Sequence, residues 1–288
     1  FRNIMKKILI LGYGYVGGYL YSKLKKDNDV EIVRREFLDY TNANDLIKYL
    51  CSSKFDYVIN AFGFTGRPNV DQGELEPELC YELNTFAPLR VSTICQCLGI
   101  NYIHISSGCI YTGYDKPYEE DDIPNFGFHD EESSTYSKSK HAYELGCDYG
   151  LIFRVRMPFC DKLHERSYLT KIKKYDNLIN LTNSKTYIPS LTQFVSEFIA
   201  SGQEAKEKDI INFVQPEPLR TDDIVSLMKT YNLGNSNWEW VQFEELNCRA
   251  NRSNCVLDTS KIGSKYGFYP IKEEVAIRGA LNKIIKDE

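Results

Sequence analysis

A glycine-rich turn near the start of the chain constrains its fold more than any other feature. Lys6 to Leu11 is a short run typical of a buried strand, and a helical pattern continues through Leu24. Between them lies Gly12-Tyr-Gly14-Tyr-Val-Gly17-Gly18. Glycines at this spacing let the backbone approach a pyrophosphate, and the N-terminus of the following helix offers free N–H groups to it. The order of strand, turn and helix therefore predicts a dinucleotide-binding α/β unit, with a tight turn that binds no ligand as the alternative.

Two arginines follow the second predicted strand. Val30 to Val33 forms that strand, and Arg34 and Arg35 come directly after it. An acidic residue at this place binds the ribose 2′-hydroxyl of NAD, whereas a basic residue accommodates the 2′-phosphate of NADP. The arginines therefore favour NADPH over NADH. If they form only a solvated charge pair, they indicate no preference.

A hydroxyl, a thiol, a phenol and an amine form the candidate reactive group. A predicted strand ends at Ser107 and delivers that hydroxyl and the thiol of Cys109 to the same place, two residues apart. Further along the chain, Tyr136 and Lys140 are four residues apart, so they share one face of the helix expected over Tyr136 to Tyr149. The added thiol suggests chemistry beyond hydride transfer.

Two further polar residues lie where substrate contacts are expected. Arg67 belongs to the polar loop Thr65 to Asp71, which follows a predicted strand, and loops at the carboxyl ends of parallel strands line the ligand crevice. It is a candidate substrate contact, with a surface arginine as the alternative. Asn84 lies on a long, largely apolar helix predicted over Glu78 to Gly99 and kinked by Pro88. It is either a buried structural amide or an active-site hydrogen-bonding group.

The charge and the cysteine content argue against several other classes. The net charge of −5 argues against a general nucleic-acid binder, so an anionic ligand needs local basic groups or helix N-termini. Nine irregularly spaced cysteines and four scattered histidines show no zinc pattern, and we expect reduced thiols and no metal. No apolar run approaches the length of a membrane span and no signal peptide is visible, so we expect a cytoplasmic protein. Met5 is the expected natural start, with Phe1 to Ile4 an artificial extension.

The chain resembles the extended short-chain dehydrogenases/reductases of deoxysugar synthesis, the dTDP-4-dehydrorhamnose reductase group. Ser107, Tyr136 and Lys140 match the catalytic triad of the whole superfamily, so that match alone is not specific. Within the group, the nearest resemblance is to the bifunctional 3,5-epimerase/4-reductases that complete UDP-L-rhamnose. The segments that carry it run through nearly the whole chain: Thr65-Gly-Arg-Pro-Asn-Val-Asp71, Gly108-Cys-Ile-Tyr111, Pro124-Asn-Phe126, Tyr136-Ser-Lys-Ser-Lys140, Arg154-Val-Arg-Met-Pro158, Leu169-Thr-Lys-Ile172 and Arg252-Ser-Asn254.

The resemblance implies an α/β fold, a doubly wound parallel sheet of the Rossmann type with a smaller C-terminal substrate lobe over its crevice. The expected domains are an NADP-binding domain over residues 1–158 and a mainly substrate-binding lobe over residues 159–288, interleaved with the first. The glycine turn departs from the family, whose usual spacing would place a glycine at Leu11 when Gly14 and Gly17 are aligned, whereas this chain has Gly12. That departure concerns the exact pyrophosphate contacts and not the binding itself.

The resemblance also implies roles for individual residues. Ser107, Tyr136 and Lys140 would reduce the sugar. Cys109 and Lys171 would form the acid/base pair that epimerises it, with His164 as a rival to Lys171; a buried filler cysteine and a surface lysine are the alternatives. The expected cofactor-binding residues are Gly12, Gly14, Tyr15, Val16, Gly17, Arg34, Arg35, Asp39, Tyr40, Ala61, Phe62, Gly63, Tyr136, Lys140 and Pro158. The expected substrate-binding residues are Arg67, Asn69, Asn84, Ser107, Arg252 and Asn254.

The implied reaction converts UDP-4-keto-6-deoxy-D-glucose to UDP-L-rhamnose with NADPH. The 4-keto group acidifies the hydrogens at C3 and C5, so inversion of each centre needs a base on one face of the sugar and an acid on the other. The nucleotide stays open, because GDP-L-fucose synthase also places a cysteine two residues after its triad serine.

Three alternatives are kept: a dTDP-4-dehydrorhamnose reductase without epimerase activity, a GDP-fucose synthase-like enzyme and, in another class, a non-catalytic NADP-binding regulatory subunit. The implied partners are the nucleotide-sugar substrate and a separate 4,6-dehydratase that acts before this enzyme. A homodimer is left open, and neither nucleic acid nor a membrane is expected as a partner.

Overall fold

A computed structural model describes residues 5–67, 69–235 and 237–287 of the chain. The expectation that Phe1 to Ile4 precede the natural start concerns residues outside this described part, and Pro68 of the Thr65 to Asp71 loop also lies outside it. The described part contains no helix that is both long enough and apolar enough to cross a membrane.

The elements alternate between strands and helices through most of the chain. In chain order they are β1 (Lys7–Leu11), α1 (Tyr15–Leu24), β2 (Asp29–Val33), α2 (Ala43–Ser52), β3 (Tyr57–Asn60), α3 (Gln72–Leu75), α4 (Pro77–Tyr81), a π-helical turn (Glu82–Phe86), α5 (Ala87–Leu98), β4 (Asn101–Ser107), β5 (Gly113–Tyr118), α6 (Thr135–Gly146), β6 (Leu151–Val155), α7 (Tyr168–Lys174), β7 (Asn177–Leu178), α8 (Ile188–Ala200), β8 (Asp209–Asn212), α9 (Thr221–Thr230), β9 (Glu239–Trp240), a 3-10 turn (Phe243–Glu245), β10 (Cys255–Leu257), α10 (Ser260–Tyr266) and α11 (Glu273–Asp287).

Six parallel strands form the central sheet, in the spatial order β2-β1-β3-β4-β6-β8. Strands covered on both faces need apolar side chains on both, and Ile8 to Leu11 are all fully buried. The strand order reverses between β1 and β3, and such a switch point opens a ligand crevice at the carboxyl ends of the strands. The predicted doubly wound Rossmann sheet is confirmed.

Alternate side chains of each strand point to opposite faces of the sheet, so they form two separate hydrophobic cores. Ile8 and Ile10 pack in a core with α1, α8 and α10, whereas Leu9 and Leu11 pack in a core with α2 and α5. Asn42 fixes the start of α2, because its side-chain oxygen accepts hydrogen bonds from two N–H groups of the first turn. Since helices cover both faces, the crevice at the carboxyl ends of the strands is where a ligand can enter.

Two predicted helices need correction. The single helix predicted over Glu78 to Gly99 is three pieces, α4, the π-helical turn and α5, with Pro88 in the first turn of α5. Pro88 has no N–H to donate, so the widened turn before it absorbs the missing hydrogen bond. The helix predicted over Tyr136 to Tyr149 ends earlier, at Gly146, because the next residue has an extended backbone.

The chain beyond β6 builds another core and also returns to the central sheet. Phe159 and Leu169 pack with α9 and α11 in that core. In contrast, β8 and α8 belong to the central sheet and its first core. The parallel pair β5–β10 joins the loop after β4 to the segment that follows residue 254. The domain boundary expected at residue 158 stays a prediction.

Candidate active site

The end of β4 and the first turns of α6 bring three predicted catalytic residues together. Ser107 is the last residue of β4 and is buried. Tyr136 and Lys140 share one face of α6, and the Lys140 ammonium nitrogen lies 6.0 Å from the centroid of the Tyr136 ring. Ser134 fixes the start of the helix, since its hydroxyl oxygen accepts a 3.1 Å hydrogen bond from the Ser137 N–H. A serine hydroxyl, a phenol and an amine therefore meet at one end of the crevice.

Burial sets the ionisation of these groups. It raises the pKa of the Tyr136 phenol above its ordinary value, and Cys109 adds to the rise, whereas a hydrogen bond with Ser107 opposes it. Burial lowers the pKa of Lys140 to about 8, although neighbouring thiols and Glu144 act in the opposite direction. A protonated phenol beside an amine that titrates near neutral pH is suited to give a proton to a developing alkoxide.

Cys109 places a thiol beside this group. Its backbone N–H donates a 3.2 Å hydrogen bond to Ser107 Oγ, which closes a tight turn through Gly108. A Cβ at Gly108 would lie 2.4 Å from Leu257 Cδ1 and 3.1 Å from Arg156 Cγ, so a larger residue would have to displace both side chains. Cys109 is a free, partly exposed thiol. A thiol in this position can exchange protons with a sugar held at Ser107.

The second epimerisation residue is less closely defined by the geometry. Lys171 is half-buried on α7, and within the described part of the chain its ammonium makes no hydrogen bond. Burial lowers the pKa of Lys171, and the charge of Arg166 lowers it further. The rival, His164, stacks on Tyr15 with ring centroids 4.4 Å apart. The pairing of Cys109 with either residue stays a prediction.

The glycine turn forms a cradle at the start of α1. Gly12 has a left-handed backbone (φ 101°), and a Cβ there would lie 2.8 Å from the Phe62 nitrogen. A Cβ at Gly17 would lie 2.1 Å from the Gly12 oxygen. At Gly14, in contrast, a Cβ would meet no atom of the described residues within 4 Å. The first turn of α1, which begins with Tyr15 and Val16, directs N–H groups to this end of the helix, and the arrangement fits the pyrophosphate of a dinucleotide.

The two arginines after β2 lie at the same end of the sheet. The Arg34 guanidinium carbon is 4.8 Å from the centroid of the Tyr13 ring, which belongs to the glycine turn. Hydrogen bonds from Thr41 hold the pKa of Asp39 below its ordinary value, and the charge of Arg35 contributes to the shift. Both arginines are exposed. Exposed cations beside the glycine turn fit a 2′-phosphate.

The residues after β3 form a wall that runs from this cradle to the reactive amine. Tyr40 stacks on Phe62 with ring centroids 4.3 Å apart, and both rings are buried. Ala61 packs against the core that contains α1. A Cβ at Gly63 would lie 3.0 Å from Asn84 Oδ1 and 3.2 Å from Lys140 Nζ, so glycine lets the loop after β3 pass close to the buried amine.

Residues 159–167 bridge the cradle and the C-terminal half. The carbonyl of Pro158 accepts a 2.9 Å hydrogen bond from the first N–H of α7. Asp161 forms a 2.7 Å ion pair with Lys283 of α11, and the stack of His164 on Tyr15 joins the bridge to α1. A cavity of about 1030 Å³ lies between the bridge, α1 and α8. It adjoins the glycine turn rather than Tyr136, so it belongs to the cofactor end of the crevice.

Three of the predicted substrate contacts lie around the Thr65 to Asp71 loop. Arg252 forms a 2.8 Å ion pair with Asp71. The Asn69 side chain accepts a 2.8 Å hydrogen bond from the Asp71 N–H and shapes the loop. Arg67 is exposed and lies 3.7 Å from Glu165 of the bridge. The structure thus joins this loop to the segment at residue 252, and the substrate contacts themselves stay predictions.

Asn84 uses its amide within the protein. Its Oδ1 accepts a 2.8 Å hydrogen bond from the Phe64 N–H, and its Nδ2 donates to the Phe64 oxygen at 2.9 Å and to Ser139 Oγ at 3.1 Å. It therefore clamps the loop after β3 to α6, which is the geometry of a buried structural amide. A direct contact of Asn84 with substrate stays a prediction.

The sequence reasoning left Arg156 without a role, although it lies next to the candidate site. It is buried and donates a 3.0 Å hydrogen bond to the Gly108 oxygen, between Ser107 and Cys109. The available signal was the second arginine of Arg154-Val-Arg156, at the end of an apolar strand where an unpaired charge is rare. Within residues 5–67, 69–235 and 237–287, no cluster of His, Cys, Asp or Glu is arranged to hold a metal ion.

Comparisons with known proteins add a family and several relatives. The RmlD substrate binding domain family matches residues 5–214. The chain is 29% identical over 90% of its length to the trifunctional UDP-glucose 4,6-dehydratase/UDP-4-keto-6-deoxy-D-glucose 3,5-epimerase/UDP-4-keto-L-rhamnose-reductase of Arabidopsis thaliana. It spans only 39% of the length of that relative.

Two solved structures share the fold over nearly the whole chain. The L780 UDP-rhamnose synthase of Acanthamoeba polyphaga mimivirus is 25% identical with a TM-score of 0.86, over 98% of this chain and 100% of that one. The dTDP-4-dehydrorhamnose reductase of Bacillus anthracis, solved in complex with NADP, is 18% identical with a TM-score of 0.81, over 99% of this chain and 100% of that one. At that identity, the second likeness concerns the fold alone.

Proposed function

The chain belongs to the RmlD substrate binding domain family, the family of the dTDP-4-dehydrorhamnose reductases, and from this premise we propose that it is a nucleotide-sugar 3,5-epimerase/4-reductase. The proposed reaction converts UDP-4-keto-6-deoxy-D-glucose to UDP-L-rhamnose. The observation that carries the proposal is the thiol of Cys109, two residues after Ser107 and beside Tyr136. A plain reductase needs the hydroxyl, the phenol and the amine, but it has no use for a partly exposed thiol at this place.

The cofactor is NADPH, which supplies the hydride that reduces C4 of the sugar. The cradle around Gly14 and the start of α1 would hold its pyrophosphate. Arg34 and Arg35, exposed beside the glycine turn, would hold its 2′-phosphate. Lys140, whose ammonium lies close to Gly63, would bind the nicotinamide ribose.

Reduction uses the three groups that β4 and α6 bring together. Ser107 and Tyr136 would bind the 4-keto oxygen, and Tyr136 would give its proton to that oxygen as negative charge develops there. The ammonium of Lys140 would help the phenol to release its proton. Burial raises the pKa of Tyr136, so the phenol stays protonated until negative charge develops on the 4-oxygen and that oxygen accepts the proton.

Epimerisation would use the same binding of the 4-keto oxygen. When a proton leaves C3 or C5, the electron pair of the broken C–H bond is delocalised onto that oxygen, where Ser107 and Tyr136 stabilise it. Cys109 would exchange the proton on one face of the sugar and Lys171 on the other. Burial lowers the pKa of Lys171, which makes its ammonium a better proton donor than an exposed lysine.

The choice of UDP follows from relatives rather than from a contact in this chain. Both the trifunctional Arabidopsis relative and the mimivirus enzyme are named for UDP-sugar chemistry. A dTDP-4-dehydrorhamnose reductase without epimerase activity and a GDP-fucose synthase-like enzyme stay alternatives. A non-catalytic regulatory subunit is disfavoured because Ser107, Tyr136 and Lys140 are assembled. A 4,6-dehydratase would supply the 4-keto sugar, and the Arabidopsis relative names this activity among its own three.

The thiol provides the test of the proposal. Cys109→Ser keeps nearly the same volume, but a hydroxyl is a far poorer acid and base than a thiol. Exchange of the C3 and C5 hydrogens with deuterated water, followed by proton NMR without NADPH, should fall by ~10²–10⁴-fold. NADPH oxidation with UDP-4-keto-L-rhamnose, which is already epimerised, should survive, since Ser107, Tyr136 and Lys140 are unchanged.

Cys97→Ser is the matched control, because Cys97 is an exposed cysteine of α5 outside the site. It should alter neither rate. If Cys109→Ser exchanges both hydrogens as fast as the unmutated protein, Cys109 is a packing residue and takes no part in the exchange. If the unmutated protein itself exchanges neither hydrogen but oxidises NADPH with UDP-4-keto-L-rhamnose, the protein is a plain reductase.

A further inference from the structure

Among the residues that the structure describes, Arg156 is a buried cation that has no carboxylate partner. Its side chain is only 1% exposed, and in the part of the chain that the structure describes it forms no ion pair. The buried Arg154 and Lys185, in contrast, are each paired with a glutamate, Glu144 and Glu273 respectively. An unpaired buried charge is costly. Its presence beside the turn formed by Ser107, Gly108 and Cys109, here called the reactive turn, therefore points to a function.

One arm of Arg156 holds the reactive turn. Its Nη1 donates a 3.0 Å hydrogen bond to the Gly108 oxygen, and that carbonyl shares its peptide group with the N–H of Cys109. The same N–H donates to Ser107 Oγ at 3.2 Å. Because a peptide group is planar, the direction of the Gly108 carbonyl also sets the direction of the Cys109 N–H. Arg156 therefore controls how the hydroxyl of Ser107 and the thiol of Cys109 are placed relative to each other.

The other contacts of Arg156 lie in the C-terminal half. Nη1 also donates to Ser253 Oγ at 2.7 Å, and Nη2 donates to the Ser253 oxygen at 3.0 Å and to Asn183 Oδ1 at 2.9 Å. Ser253 lies between Arg252 and Asn254, two expected substrate contacts, and Asn183 Nδ2 donates to Asn254 Oδ1 at 3.0 Å. One guanidinium therefore ties the reactive turn to the segment expected to hold the nucleotide sugar.

The backbone next to Arg156 is strained. Met157 has a φ of 35°, in the left-handed region that side chains other than glycine rarely adopt. The main chain of Arg156 is held on both sides by Thr186, since its N–H donates to Thr186 Oγ1 at 3.0 Å and its oxygen accepts the Thr186 N–H at 2.8 Å. Strain of this kind persists where surrounding contacts impose it, and it clusters at functional sites.

The charge of Arg156 acts on groups that the proposed reaction would ionise. Burial alone would lower the pKa of Arg156, but Cys255, Cys109, Tyr114 and Tyr136 raise it overall, so the guanidinium keeps its charge. The same charge opposes the burial-driven rise in the pKa of Tyr136. A cation without a counter-ion favours negative charge at the turn.

We propose that Arg156 is the positioning residue of the epimerisation step, which holds the Cys109 thiol towards the sugar while the 252–254 segment is in place. Its unpaired charge stabilises the anion that forms when the C3 or C5 proton leaves. In that step the C–H bond breaks, the proton passes to the Cys109–Lys171 pair, and the electron pair rests on the 4-oxygen until a proton returns to the opposite face. The inference depends on the proposed function and deepens it.

The test separates the two halves of the reaction in Arg156→Met and Arg156→Lys. Arg156→Met should lower hydrogen exchange at C3 and C5 by about 10²-fold, the loss expected when a reacting group is misplaced by about 1 Å. NADPH oxidation with UDP-4-keto-L-rhamnose should fall by a smaller factor, because β4 and α6 still hold Ser107, Tyr136 and Lys140 together. The ratio of exchange to reduction should therefore fall. Arg156→Lys keeps the positive charge but loses the forked N–H donors of the guanidinium. Its exchange rate should therefore lie between those of Arg156→Met and the unmutated protein.

Ser253→Ala provides a second test of the same proposal if the Arg156 variants fold poorly. It removes the hydroxyl that accepts from Nη1 and leaves the buried cation in place, and it should lower exchange by about tenfold and reduction by a smaller factor. Lys261→Met is the control for losing a cation that anchors a backbone carbonyl, since Lys261 Nζ donates to the Ile210 oxygen at 2.8 Å, away from the turn. It should leave the ratio of exchange to reduction unchanged.

Three results would overturn the inference. Exchange and reduction that fall by the same factor in Arg156→Lys and Ser253→Ala would make Arg156 a purely structural residue. Unchanged exchange in folded Arg156→Met would remove its role altogether. If the unmutated protein exchanges neither hydrogen but reduces UDP-4-keto-L-rhamnose, the proposed epimerase function fails, and this inference fails with it.

Discussion

At the scale of single residues, Lys140 governs the expected pH dependence of reduction. Burial lowers its pKa to about 8, so its charge is present at lower pH and is lost as the pH rises through that value. Since the charge helps Tyr136 to release its proton, NADPH oxidation with UDP-4-keto-L-rhamnose should be constant below about pH 8 and should fall by about tenfold for each further pH unit. The measurement is kcat from about pH 6 to about pH 10.

Two variants check the assignment of that titration. Lys140→Arg carries a charge that does not titrate in this range, so the activity it retains should not fall above about pH 8. Tyr136→Phe removes the proton donor, and its turnover should be lower by ~10²–10⁴-fold while NADPH still binds. A rate in the unmutated protein that keeps rising through pH 9 would contradict the role of Lys140.

At the scale of the elements, two glycines of the turn between β1 and α1 are expected to have different roles. Gly12 is needed for folding and for cofactor binding, whereas Gly14 is needed for cofactor binding alone. Gly12→Ala forces a Cβ to within 2.8 Å of the Phe62 backbone at a φ of 101°, so it should cost about 1–3 kcal/mol of stability as well as NADPH affinity. Gly14→Ala meets no protein atom, so the melting temperature should not change. Its methyl group would enter the space proposed for the pyrophosphate, and NADPH affinity should fall by about tenfold.

Calorimetry for stability and fluorescence titration for NADPH distinguish these outcomes. If Gly14→Ala binds NADPH as tightly as the unmutated protein, the phosphate does not lie at this turn. If Gly12→Ala is as stable as the unmutated protein, the close approach to Phe62 is not a constraint on the fold.

At the scale of the whole molecule, a buried ion pair pins α11 to the loop before α8. Lys185 Nζ lies 2.8 Å from Glu273 Oε1, both side chains are fully buried, and the ammonium also donates to the oxygens of Asn183 and Leu219. Lys185→Met should cost about 3–5 kcal/mol in urea unfolding, because it leaves Glu273 buried and unpaired. The double variant Lys185→Met/Glu273→Leu should be more stable than Lys185→Met alone.

An exposed pair provides the comparison. Lys206 and Glu204 form a 2.7 Å pair with side chains 38% and 67% exposed, and Lys206→Met should change the unfolding free energy by less than about 0.5 kcal/mol. A double variant at 185 and 273 that is less stable than the single one would show that the two positions are not coupled through their charges.

The amino-acid sequence determines those features whose physical cause is local. The order of an apolar strand, Gly12 to Gly17 and a helix predicts the Rossmann unit, because a tight strand-to-helix turn needs the left-handed backbone that Gly12 adopts (φ 101°). The four-residue spacing of Tyr136 and Lys140 places them on one helix face, as the structure shows. The α/β sheet is predicted correctly for the same reason. Apolar runs and glycines determine the backbone conformation of the few residues around them, so they can be read from the sequence.

Only the tertiary structure decides the contacts that join distant parts of the chain. The partners of Arg156 lie 48 and 97 residues away, at Gly108 and Ser253, so no spacing in the sequence could reveal them. For the same reason, the sequence left Asn84 open between a structural amide and an active-site group, because its partner Phe64 lies 20 residues away. A local pattern specifies which element forms, whereas the burial of a polar group must be matched by whichever donors or acceptors the packed fold brings to it.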